Sequence, residues 1–228
     1  MTPLCYVLAA VTVAFAVACV LFRRKNRSFE GMVCKFMASF GFIAVAIVGY
    51  TASPKNTLYF CLVCFALMFG FCGDVLLGIK EIAPKFRSKL IPIGTFYFLI
   101  GHIFYIVAFL HEFPFHLVTV AFGVAGGAAA YIIIKAFHMK VDGKLLPLLC
   151  VYYALLVFKV AITGYAVIKE ISPAALAAFV GSLLFILSDT CLGIVYFTPV
   201  KRKNAFVTVE LSTYYPAQIL LAMSVALM

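Results

Sequence analysis

Two aspartates stand inside segments that are otherwise apolar. Asp74 lies in Phe71-Cys72-Gly73-Asp74-Val75-Leu76-Leu77-Gly78, and Asp189 in Ile186-Leu187-Ser188-Asp189-Thr190-Cys191-Leu192-Gly193. A carboxyl pair is suited to acid–base work. Brought together in a low dielectric, two carboxyls do not both ionise, so one keeps a proton while the other accepts one. An Asp at the centre of a lipid-spanning helix costs roughly 2.5–3.5 kcal/mol on insertion scales. Only 8 of the 228 residues are acidic, so placing two of them in such segments points to a functional site. The same residues also suit a salt bridge or a proton relay with Lys159 and His102, which is how a proton-coupled carrier uses buried charge.

Other polar side chains accompany them. His102 and Tyr105 are three apart, Tyr152 and Lys159 seven apart, and Glu210, Tyr214 and Gln218 four apart, so each group shares a helix face. Ser188 and Tyr215 adjoin members of these groups. Lys159 compensates an aspartate or holds a phosphate; its spacing does not choose. Metal chemistry finds no support. His111, His116 and His138 fall at segment edges or in loops, and a zinc site needs three or four converging ligands. Cys61-Leu62-Val63-Cys64 has metal-type spacing without a second pair. All eight cysteines fall in or beside apolar segments, where cysteine behaves as a small hydrophobe.

The elements that must carry these residues are helices crossing a bilayer. The chain is 66% hydrophobic and 11% charged, whereas soluble domains run near 25% charged. Apolar runs of spanning length recur throughout, and no polar stretch is long enough for a separate soluble domain. The predicted architecture is all-α: a polytopic integral membrane protein of eight transmembrane helices forming one domain over 1–228. The spans fall roughly at 3–22, 33–50, 57–77, 91–110, 115–134, 145–168, 174–197 and 206–228. The first reads as an anchor rather than a signal peptide, because its charges follow the apolar run.

A net charge of +10 would suit nucleic acid, but its distribution does not. Fifteen of the 18 Lys and Arg fall in or beside the loops after spans one, three, five and seven; only Lys55 and Lys169 fall after the others, and Lys159 is inside a span. This is the positive-inside pattern. It predicts both termini on the non-cytoplasmic side, the polar residues gathered in the cytoplasmic half, and membrane lipids rather than nucleic acid as partners.

The pattern Asp-x-x-Leu-Gly occurs twice, 115 residues apart, on spans running in the same direction. His102 follows Asp74 by 28 residues, and Gln218 follows Asp189 by 29. A tandem repeat of four plus four helices explains this, with a site at the repeat interface. Chance recurrence of a short pattern explains it too. Gly70, Asp74 and Gly78 stand at spacing four, as do Gly181, Phe185, Asp189 and Gly193, and the glycines among them read as helix-packing positions.

Taken together, Gly73-Asp74, Gly101-His102-Ile103-Phe104-Tyr105, Phe185-x-x-Ser188-Asp189 and Ser212-Thr213-Tyr214-Tyr215-Pro216-Ala217-Gln218 resemble the YhhN-type lysoplasmalogenase family. Val151-Tyr152 adds to the match. The resemblance implies an eight-helix membrane hydrolase without a cofactor. It would cleave the vinyl ether of a lysoplasmalogen to a fatty aldehyde and glycerophosphoethanolamine or glycerophosphocholine. It implies Asp74 and Asp189 as catalytic residues, with a lysophospholipid pocket shaped by His102, Tyr105, Tyr152, Lys159, Ser188, Tyr214, Tyr215 and Gln218. Pro216 is a point where variation within the motif is expected, and it stands where it would kink span eight.

Two other functions compete. A proton-coupled membrane transporter would share the carboxyls, the lysine and the repeat. An intramembrane aspartyl protease also uses two membrane aspartates. Here, however, Phe71 stands where that family has Gly, Ser188 stands where it has Tyr, and the motif order is reversed.

Overall fold

In lipid, a chain must satisfy every backbone N–H and C=O internally, so a polytopic sequence of this kind folds as helices. The computed structural model describes residues 2–52 and 54–228. It contains eight α-helices: α1 Pro3–Arg24, α2 Ser28–Ala52, α3 Thr57–Ile82, α4 Arg87–Glu112, α5 Val118–Ala136, α6 Leu146–Lys169, α7 Pro173–Phe197 and α8 Lys203–Leu227. A short 3-10 turn at Pro84–Phe86 precedes α4, and no strand occurs among the described residues.

Local chemistry sets several boundaries. The Asn56 side chain accepts from the Tyr59 amide at 3.0 Å and starts α3, while Ser172 does the same for Ala175 at 3.1 Å and starts α7. Pro173 at the first position of α7 is preorganised for a helix. Helices two, three and four extend beyond the expected spans because they continue past the apolar run. Helix α8 runs unbroken through Pro216.

Among the described residues seven helices are long and apolar enough to cross a membrane, which makes the chain a multi-pass membrane protein. The exception by composition is α8, which carries Glu210, Thr213, Gln218 and Ser224. Its position explains this. It packs against α1, α2, α3 and α7, and Leu211, Tyr215, Leu221 and Ala222 are fully buried. A helix wrapped by other helices meets little lipid and tolerates polar groups that an outer helix would not. The outer surface is apolar, with Phe29, Phe40, Phe122 and Ile132 exposed.

The helices pack as antiparallel hairpins: α1 with α2, α3 with α4, α5 with α6, and α7 with α8. Helix α2 also packs on α3 and α6 on α7; α2 meets α8 and α6 meets α4. Shifting each helix number by four maps these contacts onto one another. The α1–α8 contact has no such counterpart among the described residues, and that of α3–α8 is reduced to side chains, Phe98 and His102 of α4 meeting Phe185 of α7.

Small residues set the close crossings. A Cβ on Gly181 would come within 3.0 Å of the Ala217 backbone oxygen, so α7 and α8 approach closely there. At Gly193 the nearest atom is the Tyr153 hydroxyl at 3.9 Å, so that glycine closes no helix contact.

Candidate active site

Both aspartates lie eight residues before the C-terminal end of their helix, 74 against 82 in α3 and 189 against 197 in α7. Both are buried. Their surroundings differ.

Asp74 is surrounded by donors. Lys35 Nζ lies 2.8 Å from Oδ1, forming an ion pair buried on both sides. Ser39 Oγ donates to Oδ2 at 2.6 Å, and the Tyr214 hydroxyl donates to the same oxygen at 2.7 Å. Lys35 and Ser39 are one turn apart on α2, so a single face of that helix supplies two of the three donors. Tyr214 is held in turn: Gln218 Nε2 donates to its hydroxyl at 3.1 Å, and Tyr105 donates to Gln218 Oε1 at 2.8 Å. Both ends of the Gln218 amide are therefore used. Close to Asp74, a Cβ on Gly73 would fall 2.7 Å from the Phe98 ring, so only glycine admits that ring beside the carboxyl.

Asp189 receives one hydroxyl donor, Tyr152. The Tyr152 oxygen meets His102 Nε2 at 3.0 Å, and His102 Nδ1 meets Lys159 Nζ at 3.3 Å. One direction of donation satisfies the chain: Lys159 to His102, His102 to Tyr152, Tyr152 to Asp189. It assigns the ring proton to Nε2. Lys159 is fully buried and has no carboxylate within 4.0 Å among the described residues. Its ammonium sits over the rings of Phe185 at 4.3 Å and Tyr105 at 5.1 Å. The lysine thus reaches Asp189 through two intermediaries and not directly.

Phe185 joins the two clusters. Its ring centroid is 4.6 Å from that of His102 and 5.4 Å from that of Tyr214. Ser188 is buried beside Asp189, and its hydroxyl has no hydrogen-bond partner among the described residues. The Tyr215 hydroxyl is engaged with the Lys35 carbonyl at 3.2 Å, bracing the segment that carries the Asp74 cation.

Asp74, His102, Tyr105, Tyr152, Lys159, Asp189, Tyr214 and Gln218 are therefore linked through two connected clusters. Lys35 and Ser39 belong to the site although the sequence does not single them out. The charge pattern assigns Lys35 to a membrane edge, but α2 begins at Ser28 and buries it two turns in. Lys80, assigned the same way, is buried in α3 with its ammonium 2.7 Å from the Tyr196 hydroxyl. The usable signal is a Lys and a Ser at spacing four on an apolar helix. No group of three or more His, Cys, Asp or Glu suited to a metal occurs among the described residues.

This is a helical membrane protein whose bundle interior holds two carboxyls in unlike hydrogen-bond settings. The profile of the YhhN family matches residues 31–225, nearly the whole chain, and the chain belongs to the YhhN family. No curated protein and no solved structure matches it.

Proposed function

We propose that the protein is a lysoplasmalogenase, hydrolysing the vinyl ether of a lysoplasmalogen to a fatty aldehyde and glycerophosphoethanolamine or glycerophosphocholine. Membership of the YhhN family supports the class. The observation that carries the mechanism is the unlike environment of the two carboxyls. Asp74 faces a cation and two hydroxyl donors, a set that suits an ionised carboxylate, which only accepts. Asp189 has one hydroxyl donor and, among the described residues, no cation within 4.0 Å, which suits a carboxyl that keeps a proton.

The roles follow. Protonated Asp189 delivers its proton to the vinyl β-carbon, and the α-carbon becomes an oxocarbenium centre. The Asp74 carboxylate stabilises that cation, as one carboxylate does in glycoside hydrolysis. Water adds to the α-carbon and gives a proton to Asp74. Protonated hemiacetals are strong acids, so a carboxylate suffices to take that proton. The hemiacetal then collapses. Its hydroxyl proton goes to Asp189, and Asp74 returns its proton to the departing glycerol oxygen. Both carboxyls end as they began, and no cofactor enters. While Asp189 is ionised, the Tyr152–His102–Lys159 chain offsets its charge.

The same reading includes eight membrane crossings in one domain, both termini outside, the site in the cytoplasmic half, and a lysophospholipid as substrate. The length of α8, 25 residues, supports an eighth crossing, and the hairpin contacts that repeat at a shift of four support the tandem repeat. That repeat, with its buried ion pair, is also what favours a proton-coupled transporter. One experiment separates them: purified protein incubated with a lysoplasmalogen releases fatty aldehyde if it is the hydrolase, and none if it is only a carrier.

A further inference from the structure

We infer that a basic cleft at the C-terminal end of α7 binds the phosphate of the lysophospholipid headgroup. This rests on the hydrolase reading above and names where the polar end of that substrate sits. The cleft measures about 300 Å³. Its cations are Arg87 at the start of α4, Lys140 in the α5–α6 loop and Lys203 at the start of α8, and its wall includes Val195, Tyr196 and Thr198.

Topology alone would put basic residues at this end of the bundle. It would not make three distant segments converge on one concavity free of carboxylates. Three further cations of the chain are engaged elsewhere: Arg27 with Glu30, Lys80 with Glu81, and Arg24 with Thr208. Arg87, Lys140 and Lys203 have no acidic partner within 4.0 Å among the described residues. A guanidinium fork beside two ammoniums is the donor set a phosphodiester anion prefers.

The walls are fixed. Lys80 donates to the Tyr196 hydroxyl at 2.7 Å and lies 4.0 Å from its ring centroid, while the Arg87 guanidinium is 5.9 Å from the same ring. The Lys140 amide donates to the Phe197 carbonyl at 2.7 Å, pinning its loop to α7.

The spacing matches the substrate. Val195 lies six residues beyond Asp189, and Lys80, which holds Tyr196, lies six beyond Asp74. Six residues advance a helix by about 9 Å. From a vinyl ether β-carbon to the headgroup phosphorus is seven bonds, about 8 Å when extended at the rise per bond of a stretched chain. A lipid with its phosphate in the cleft therefore brings its vinyl ether to the depth of the carboxyls.

The test is binding of a saturated 1-alkyl lysophospholipid, which this chemistry does not cleave, to the purified full-length protein in detergent. Its phosphate-free counterpart, 1-alkylglycerol, serves as control probe. Combining Arg87→Gln, Lys140→Gln and Lys203→Gln should weaken lysophospholipid binding by at least about tenfold, because charge-assisted hydrogen bonds to the phosphate are removed. Binding of alkylglycerol should not change. Combining Lys25→Gln, Lys85→Gln and Lys201→Gln removes equal charge outside the cleft and should leave both probes unaffected. With vinyl ether substrate, the cleft variant should raise KM far more than it lowers kcat. Unchanged lysophospholipid binding, loss of both probes, or equal loss in the control variant overturns the assignment. Inorganic phosphate binding as tightly as the lipid overturns the lipid headgroup as the source. If wild-type protein binds the probe through the cleft yet cleaves no vinyl ether, the cleft stands and the hydrolase reading falls. If it cleaves vinyl ether while the probe binds independently of the cleft, the hydrolase reading stands and the cleft assignment falls.

Discussion

Lys35 Nζ lies 2.8 Å from Asp74 Oδ1, with both side chains buried in the bundle. An isolated charge there would be strongly disfavoured, so each group makes the other tolerable. In the proposed chemistry this pair makes Asp74 the carboxylate that faces the cationic carbon, which sets the direction of that chemistry.

The pair predicts a stability coupling. Lys35→Met should destabilise the protein by about 3–5 kcal/mol, because it leaves a buried carboxylate without its cation. Adding Asp74→Asn to Lys35→Met should recover much of that loss. Thermal melting in detergent reads both. Losses that simply add in the double variant would show that the two groups do not act as a pair.

The carboxyls should dominate turnover. Asp74→Asn and Asp189→Asn should each reduce it by at least about 10²-fold, the low end for acid–base catalysis. The double variant should be little worse than the single ones, since the two act as a unit. A folded Asp189→Asn protein with near-normal aldehyde release would remove the carboxyl pair from the mechanism.

Residues that hold the carboxyls should matter less. Tyr152→Phe, Tyr214→Phe and Gln218→Ala each remove hydrogen bonds without removing a proton-transfer group, and each should lower turnover by about tenfold. Steady-state rates checked against the two Asn variants give the ranking. Should Gln218→Ala prove the most damaging change, the division of roles is wrong.

Much of this is legible in the chain because burying charge in lipid is costly. Asp74 and Asp189 stand out against apolar neighbours, and helical spacing places Tyr152 with Lys159 and Tyr214 with Gln218 on shared faces. Lys35 is not legible as a site residue. A lysine near the edge of an apolar run looks the same whether it snorkels to the interface or turns inward, and only the packing of α2 on α3 decides. Ser39 is small and common in such helices, so its bond to Asp74 emerges only from the structure. The partner of Lys159 is likewise open in sequence: spacing offers an aspartate, whereas the fold interposes His102 and Tyr152. Helix α8 looks like another span in sequence, while its polar content reflects a place inside the bundle.

The proposed orientation rests on the distribution of charge. With Lys35 and Lys80 set aside as buried, the remaining basic residues still crowd one end of the bundle. Cysteines placed at Lys55 or Lys169 should react with a membrane-impermeant thiol reagent in intact cells, and cysteines at Lys85 or Arg202 should not. The reverse labelling would invert the topology.

The most direct test of the central claim is turnover of a lysoplasmalogen by the purified protein in heavy water, with immediate trapping of the aldehyde. Proton delivery from Asp189 to the β-carbon predicts one deuterium on the carbon next to the aldehyde. With oxygen-labelled water, the label should enter the aldehyde while the glycerol oxygen stays unlabelled. Label on the glycerol oxygen, or aldehyde formed without deuterium at that carbon, would contradict protonation by the carboxyl pair.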